Sequence, residues 1–384
     1  MRILAVGGGS GGHVTPVAAV CSEIKKANPN AEIRFWCDSK FYQQAFTTMV
    51  AVDGHIKVEP IVAGKLRRYF NMPLWQQLIR FRTIVLPNIV DSGKLLVGTV
   101  QSMAKLIFWR PDVVFSKGGF VCLPVGVAAH ILRIPIVIHD SDAHPGLTSR
   151  ILSRWAVKIA TGAPLKYYQY PKNKTKYIGV PVASTASPYT ASQQRQTKKE
   201  LGFSEHEPLI VITGGGLGAA SINTAVVKVM PDLLSFTSVA LIAGEANVDE
   251  LKATVKSHKN LQIHGYLASD AMQKMLGAAD IVVSRAGATT LLELAALAKP
   301  AIIVPNIHLT GGHQVKNAAV YQQAKAVVVL DDARLSAEPL ALVDAINATL
   351  LNKATMQRLS KNIQTFAKPD AAKDMAKIVL EAAK

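Results

Sequence analysis

Residues 7–13, GGGSGGH, set six small residues and an imidazole between an apolar run, ILAV, and a helical stretch. Backbone this bare lets N–H groups approach a phosphate, with the positive end of the following helix behind them. Gly7, Gly9 and Gly12 fit GxGxxG, and Asp38 follows the second apolar run where a ribose-binding acid would lie, so dinucleotide binding is one chemistry the loop allows. The same loop, from Gly8 to Gly12, fits GxSxG, which would make Ser10 a hydrolase nucleophile. That elbow normally follows several strands, whereas here only one precedes it. His13 stands at the helix entrance, placed to take a proton from a nucleophilic hydroxyl or simply to begin a helix.

Two further clusters carry polar chemistry. His139-Asp140-Ser141-Asp142 ends the run PIVIH, at the strand edge where open α/β sheets bind ligands; the alternative is a cap for the next helix. Ser284-Arg285-Ala286-Gly287-Ala288-Thr289-Thr290-Leu291-Leu292-Glu293 repeats the pattern of strand end, glycine turn and helix entrance. Glu293 lies about one turn beyond Thr289, where a carboxylate would accept two vicinal ribose hydroxyls, or would close a capping box with Thr290. After the next apolar run, Gly311-Gly312-His313-Gln314 and Asn317 offer groups that read sugar hydroxyls or cap a helix. No His, Cys or carboxylate cluster has metal-ligand spacing, so no metal and no cofactor are called for.

These residues need strands and helices to hold them. Residues 3–6, 32–37, 112–116 and 135–139 read as buried strands separated by helical stretches, the alternation of a parallel α/β sheet. Thr15-Pro16 reads as the N-cap and first residue of a helix running to about Lys26. A second opening, IVITGGGLGAA, repeats the first, ILAVGGGSGGH, with Gly214 answering Gly7. Residues 239–243, 262–265, 280–284, 301–305 and 326–330 supply further strands. The 384 residues therefore divide into 1–180, a polar linker at 181–205, a second domain at 206–368 and a terminal helix at 369–384.

Charge separates the halves. Residues 1–180 carry a net +14 and the remainder +3. Within 64–110, eight basic residues face the single acid Asp91, with Phe70, Trp75, Phe81, Phe108 and Trp109 among them. Such a stretch suits an anionic bilayer surface; nucleic acid and a plain solvated face are the rivals. Apolar stretches such as 120–132 contain proline and fall short of the roughly 20 residues a span needs, so a peripheral protein is expected. Cys21, Cys37 and Cys122 have no metal spacing and read as free thiols.

Taken in order, GGGSGGHVTP, GKLRRY, PDVVFSKGGF, HDSDAHPGL, GVPV, SRAGATTLLELAALAKPAIIVP and GHQVKNA resemble the MurG-type peptidoglycan N-acetylglucosaminyltransferases, across almost the whole chain. The resemblance implies the GT-B fold, two Rossmann-like domains facing a cleft, the first for a lipid-linked acceptor and the second for UDP-GlcNAc. It implies transfer of GlcNAc, with inversion, to the C4 hydroxyl of MurNAc in undecaprenyl-pyrophosphoryl-MurNAc-pentapeptide, forming a β1-4 link at the cytoplasmic membrane face, with no nucleic acid involved.

By matching position it makes His13 the first candidate for the general base and Asp140 the second. Ser10, Gly11, Gly12 and Asp142 would reach the sugar, Gly216 would belong to the donor loop, and Leu267 would meet the uracil. Ala288, Thr289, Thr290, Leu291, Leu292 and Glu293 would take the diphosphate and ribose, and Gln314 the GlcNAc hydroxyls. Thr15, Gly118, Gly119, Phe120 and His139 would line the acceptor side, with Lys65, Arg67 and Arg68 near it. Four positions depart from the family pattern: Ala183 replaces an arginine, Gly216 and Leu217 a serine and a glutamine, and Asp140 a glutamate. The competing readings are a related GT-B enzyme with another acceptor, a UDP-GlcNAc 2-epimerase-like enzyme, a nucleotide-sugar-binding protein without catalysis, and a dinucleotide oxidoreductase.

Overall fold

The computed structural model describes residues 1–8, 11–66, 73–182, 187–215, 218–307 and 312–384, with backbone alone at 11–13, 74 and 78. Two compact units share the chain, Met1–Ser184 with Lys368–Lys384, and Thr185–Ala367.

The first unit is built on seven strands: β1 (Arg2–Val6), β2 (Glu32–Cys37), β3 (Lys57–Pro60), β4 (Val113–Ser116), β5 (Ile136–Asp140), β6 (Lys158–Thr161) and β7 (Thr175–Tyr177). All pair in parallel, in the order β3-β2-β1-β4-β5-β6-β7. Central strands such as β4 and β5 are buried along their whole length, as expected of a parallel sheet covered on both faces. One face packs Ile3, Ala5, Phe35 and Phe115 against the helix Gly11–Ala27 and the last helix, Ala371–Ala382, whose Met375 and Val379 have no exposed surface. The other packs Leu4, Val6, Val114 and Ile138 beneath the helices Leu86–Phe108 and Cys122–Ile131.

The second unit has β8 (Leu209–Thr213), β9 (Ser238–Ile242), β10 (Leu261–His264), β11 (Ile281–Ser284), β12 (Ala301–Ile303) and β13 (Val328–Val329), parallel in the order β10-β9-β8-β11-β12-β13. Both orders reverse direction after the first strand of the unit, between β1 and β4 and between β8 and β11. A doubly wound sheet opens a crevice at that point, beyond the carboxyl ends of the strands. Each glycine opening follows the strand at its own reversal, Gly7 and Gly8 after β1, Gly214 and Gly215 after β8.

Several local expectations are corrected. The first helix begins at Gly11, not at Pro16, which lies inside it. Proline is easiest at the first helical position because it lacks an N–H; here the buried apolar face of Val14, Val17 and Cys21 starts the helix earlier than local propensity suggests. Strands β3, β6 and β7 escaped the sequence because they are three or four residues long and mix charged side chains with apolar ones. Part of the stretch read as a linker is the helix Ala191–Glu200, opened by a capping box between Thr190 and Gln193 and tied to the second unit by Lys198 and Asp280 at 2.6 Å.

Residues Phe81–Phe108 form a continuous helical run of 28 residues that is by length and composition apolar enough to cross a membrane, contrary to the expectation that no stretch is. Asp91, Lys94 and Lys105 hid it in the sequence. Asp91, Gly98, Ser102 and Leu106 bury one face, against the helix Cys122–Ile131. The rest leaves Ile89, Leu96, Val100 and Phe108 more than half exposed.

Candidate active site

In the first unit three loops meet where the sheet order reverses. Gly7 N–H bonds to Trp36 O and Lys117 N–H to Val6 O, which continues the strand pairing into the loops after β1 and β4. Gly119, with φ +88°, lies so close to the first glycine loop that a Cβ on it would be 2.2 Å from Gly8 O. Only glycine satisfies both the left-handed backbone and the contact. Gly8 in turn backs onto Asp38, whose Oδ2 would lie 2.5 Å from a Gly8 Cβ, so this acid is buried against the loop instead of standing free for a ribose.

Next to that loop, the end of β5 gathers a buried polar cluster. Asp140 is 6% exposed and accepts a hydrogen bond from Tyr170 Oη at 2.8 Å. Burial first, then the neighbouring Asp142, pushes its carboxyl up to about 7, a value suited to taking or giving a proton near neutrality. Lys117, 2% exposed, donates to Ser141 Oγ; burial brings its ammonium down to about 8 against the pull of Asp142 and Asp140. Tyr168 donates to Asp142 O at 2.6 Å and accepts from Ala163 N–H at 3.2 Å.

His139 has no exposed surface; its Nε2 is 2.8 Å from Gly179 O and its Nδ1 3.5 Å from Ser141 Oγ. An imidazole so enclosed holds the loop and presents no face to an acceptor, which corrects its place among acceptor contacts. Thr15 and Lys65 are exposed, Phe120 and Asp142 half-buried, and Gly118, with φ +92°, is buried beside Gly119. Gly11, Gly12 and His13 form the first turn of the helix Gly11–Ala27. Ser10, Arg67 and Arg68 lie outside the described residues. Lys117, Tyr168 and Tyr170 were missed: a lysine before two glycines and a tyrosine-rich stretch carry no signal until the fold brings them to Asp140.

The second unit repeats the geometry. Gly218, with φ +75°, lies where a Cβ would be 2.0 Å from Ala243 O, closing the loops after β8 and β9 together. Arg285, at the end of β11, donates from Nη1 to Asp332 at 2.9 Å and to Val304 O at 3.0 Å, and from Nη2 to Ser221 Oγ at 2.6 Å. It is 8% exposed and structural in its contacts.

Gly287 caps the helix Ala288–Ala296, which has no acid in its first turn and no side-chain cap to offset its positive end. Ala288, Thr289 and Thr290 are half-buried there. Leu291 and Leu292 are 1% and 4% exposed, so their side chains belong to the core and not to a ligand. The capping box with Thr290 does not form, because the N-cap is Gly287, three residues before it. Glu293 is half-buried, and burial alone raises its carboxyl to about 7. Among the described residues no hydrogen-bond donor pairs with it. Gln314 accepts from Asn306 N–H at 2.8 Å and Asn317 donates to Ala286 O at 3.1 Å, binding the loops after β12 and β11 together. Leu267 sits half-buried just beyond β10, on the same strand edge. Gly216 and Leu217, like Ala183, lie outside the described residues. Among the described residues no group of His, Cys, Asp or Glu has metal-binding geometry.

Comparison with known proteins gives this arrangement a family. Residues 3–161 match the glycosyltransferase family 28 N-terminal domain and residues 209–375 the family 28 C-terminal domain. The chain is 30% identical, over 99% of itself and 99% of its relative, to the UDP-N-acetylglucosamine–N-acetylmuramyl-(pentapeptide) pyrophosphoryl-undecaprenol N-acetylglucosamine transferase of Bacillus subtilis (strain 168). Among solved structures it is similar to MurG of Acinetobacter baumannii, with TM-score 0.72 and 21% identity over 99% of both chains. It is also similar to the UDP-GlcNAc 2-epimerase of Neisseria meningitidis, with TM-score 0.64 and 13% identity over 99% of this chain and 100% of the other. These likenesses carry the fold, two Rossmann-like units of the GT-B class. With both halves matched and a relative aligned from end to end, the chain belongs to glycosyltransferase family 28, as a MurG-type member.

Proposed function

We propose that this chain is an inverting N-acetylglucosaminyltransferase that moves GlcNAc from UDP-GlcNAc to the C4 hydroxyl of MurNAc in undecaprenyl-pyrophosphoryl-MurNAc-pentapeptide. The observation that carries the reading is the 30% identity, over 99% of both chains, with the Bacillus subtilis transferase. The half-buried Glu293 near an uncapped helix start supports it, because a carboxylate suits ribose hydroxyls and a helix N-terminus suits a diphosphate.

In this reading Glu293 accepts the ribose hydroxyls, and the N–H groups of Ala288 to Thr290 stabilise charge growing on the diphosphate as the glycosidic bond breaks. Leu267 meets the uracil, Gln314 the GlcNAc hydroxyls, and Gly216 belongs to the donor loop. Ser10, Gly11, Gly12 and Asp142 serve the transferred sugar. Thr15, Gly118, Gly119 and Phe120 serve the acceptor, with Lys65, Arg67 and Arg68 at its anionic part. Inversion requires a base opposite the leaving UDP, and His13 is the first candidate, with Asp140, near neutral in its titration, the second.

The acceptor's lipid directs the enzyme to a membrane surface. The apolar outer side of Phe81–Phe108, with Trp75 and Ile79 also more than half exposed, is the face we assign to the bilayer, and the basic residues of 64–110 to its headgroups. One face of that helix packs on the domain, which favours lying on the bilayer over crossing it.

The test is UDP release from UDP-GlcNAc with and without a short-chain lipid-linked MurNAc-pentapeptide. Acceptor-dependent release with disaccharide product is expected. Epimerisation of UDP-GlcNAc, or binding without turnover, would replace the reading with one of its rivals.

A further inference from the structure

The carboxylate of Asp140, at the end of β5, is held from two sides. Tyr170, in the segment after β6, donates to Oδ2 at 2.8 Å. Ser149, in the helix Leu147–Leu152, bonds the carboxylate as well. Lys117, directly after β4, sits fully buried beside the same loop with its ammonium on Ser141 Oγ. Tyr170 stacks on Tyr168, ring centres 5.6 Å apart, and Tyr168 pins the next carboxyl-bearing residue through Asp142 O.

We propose that Tyr170 and Lys117 are positioning residues that fix the orientation and the proton occupancy of Asp140, acting through the Tyr170 hydroxyl on the carboxylate and the Lys117 charge behind Ser141. The proposal rests on the reading of Asp140 as a candidate base, but its core concerns how this chain's own residues hold that carboxyl. Among the described residues, charged and titratable neighbours come from several elements. Asp142 and His139 lie on its own strand and loop, Lys117 directly follows β4, and Cys122 begins the helix after it. Tyr168 and Tyr170 follow β6, Ser149 and Arg150 come from the helix Leu147–Leu152, and Tyr177 stands on β7. The last helix meets β5 with an apolar face.

Both devices favour the ionised carboxylate, one by hydrogen bonding to it and one by opposite charge. Burial and Asp142 oppose them. Removing either device therefore moves the titration upward.

The experiment is a titration of the aspartate carboxyl carbons by 13C NMR in the full chain. Asp140 is identified by its loss in Asp140→Asn, and the wild type is compared with Tyr170→Phe, which keeps the stacked ring, and with Lys117→Met. The midpoint is expected to rise by about one pH unit in each. Unchanged midpoints in folded Tyr170→Phe and Lys117→Met overturn the proposal; should one variant fail to fold, the other decides it alone. In parallel, the pH profile of glycosyl transfer should move its acid limb upward, with about a tenfold loss below the midpoint that is recovered at high pH. A uniform loss at every pH would reduce both residues to scaffolding. A wild type that titrates as expected but transfers nothing would defeat the functional reading and leave the positioning intact.

Discussion

At the scale of single residues, the candidate sites of the two units, each by itself, share a device: a carboxyl raised by burial and not neutralised by a full ion pair. Burial pushes the carboxyls of both Asp140 and Glu293 up to about 7. Each binds its proton more tightly folded than unfolded, where the range is near 4, so stability should fall as pH rises from about 4 through 7. Asp140→Asn is expected to flatten that fall and to raise stability at pH 8, on the order of 2 to 4 kcal/mol, measured by denaturant unfolding against pH. An unchanged slope would mean the carboxyl ionises freely in the native state. The functional counterparts differ in kind. Replacing Glu293 by Ala should weaken UDP binding, read by calorimetry, because a ribose contact acts before the chemistry begins. His13→Ala should leave UDP binding nearly intact while turnover drops by about 10²- to 10⁴-fold. Equal turnover in that variant would pass the base role to Asp140.

Elements decide whether those residues meet. The reversal between β1 and β4 brings the first glycine loop against the β4 loop, and the reversal between β8 and β11 sets Arg285 and the helix Ala288–Ala296 beside the second. Gly119→Ala would put a methyl 2.2 Å from Gly8 O on a backbone with φ +88°. The two loops must then separate, at a stability cost of about 1–3 kcal/mol, together with a fall in turnover larger than the fall in donor affinity. Thermal melting and paired kinetic and binding measurements check this; wild-type turnover would show that the contact is incidental. The last helix works at this scale too, since Met375, Ala376 and Val379 complete the core beneath β1, β4 and the first helix although they are the most distant in sequence.

For the molecule as a whole, charge and apolar exposure fall on one segment. Half of the net +14 of residues 1–180, eight basic residues against the single acid Asp91, and the exposed side of Phe81–Phe108 coincide along 64–110. Changing Arg67, Arg68, Arg80 and Arg82 together to Gln should weaken binding to anionic vesicles and make it less dependent on salt. Exchanging Leu96, Val100 and Phe108 for Gln should weaken binding to neutral vesicles as well, because that term comes from apolar burial. Vesicle flotation separates the two contributions, and retention by both variants would place the membrane face elsewhere.

Periodicity and the paired glycine openings determined the α/β class and the central strands from the sequence alone, because a fully buried parallel strand is an uninterrupted apolar run whatever surrounds it. Spaced motifs likewise led to the family, and Glu293 was legible as a helical carboxylate one turn beyond Thr289. Contacts between distant segments stayed hidden. Nothing in LKYYQYP announces a hydroxyl on Asp140, nothing in FSKGGF a buried ammonium behind Ser141, and Leu291 and Leu292 look like site residues until the helix turns them inward. Whether a side chain faces ligand or core, and what pKa it keeps there, depends on which strands lie side by side and how much water they exclude. Those are properties of packing, and only the tertiary structure decided them.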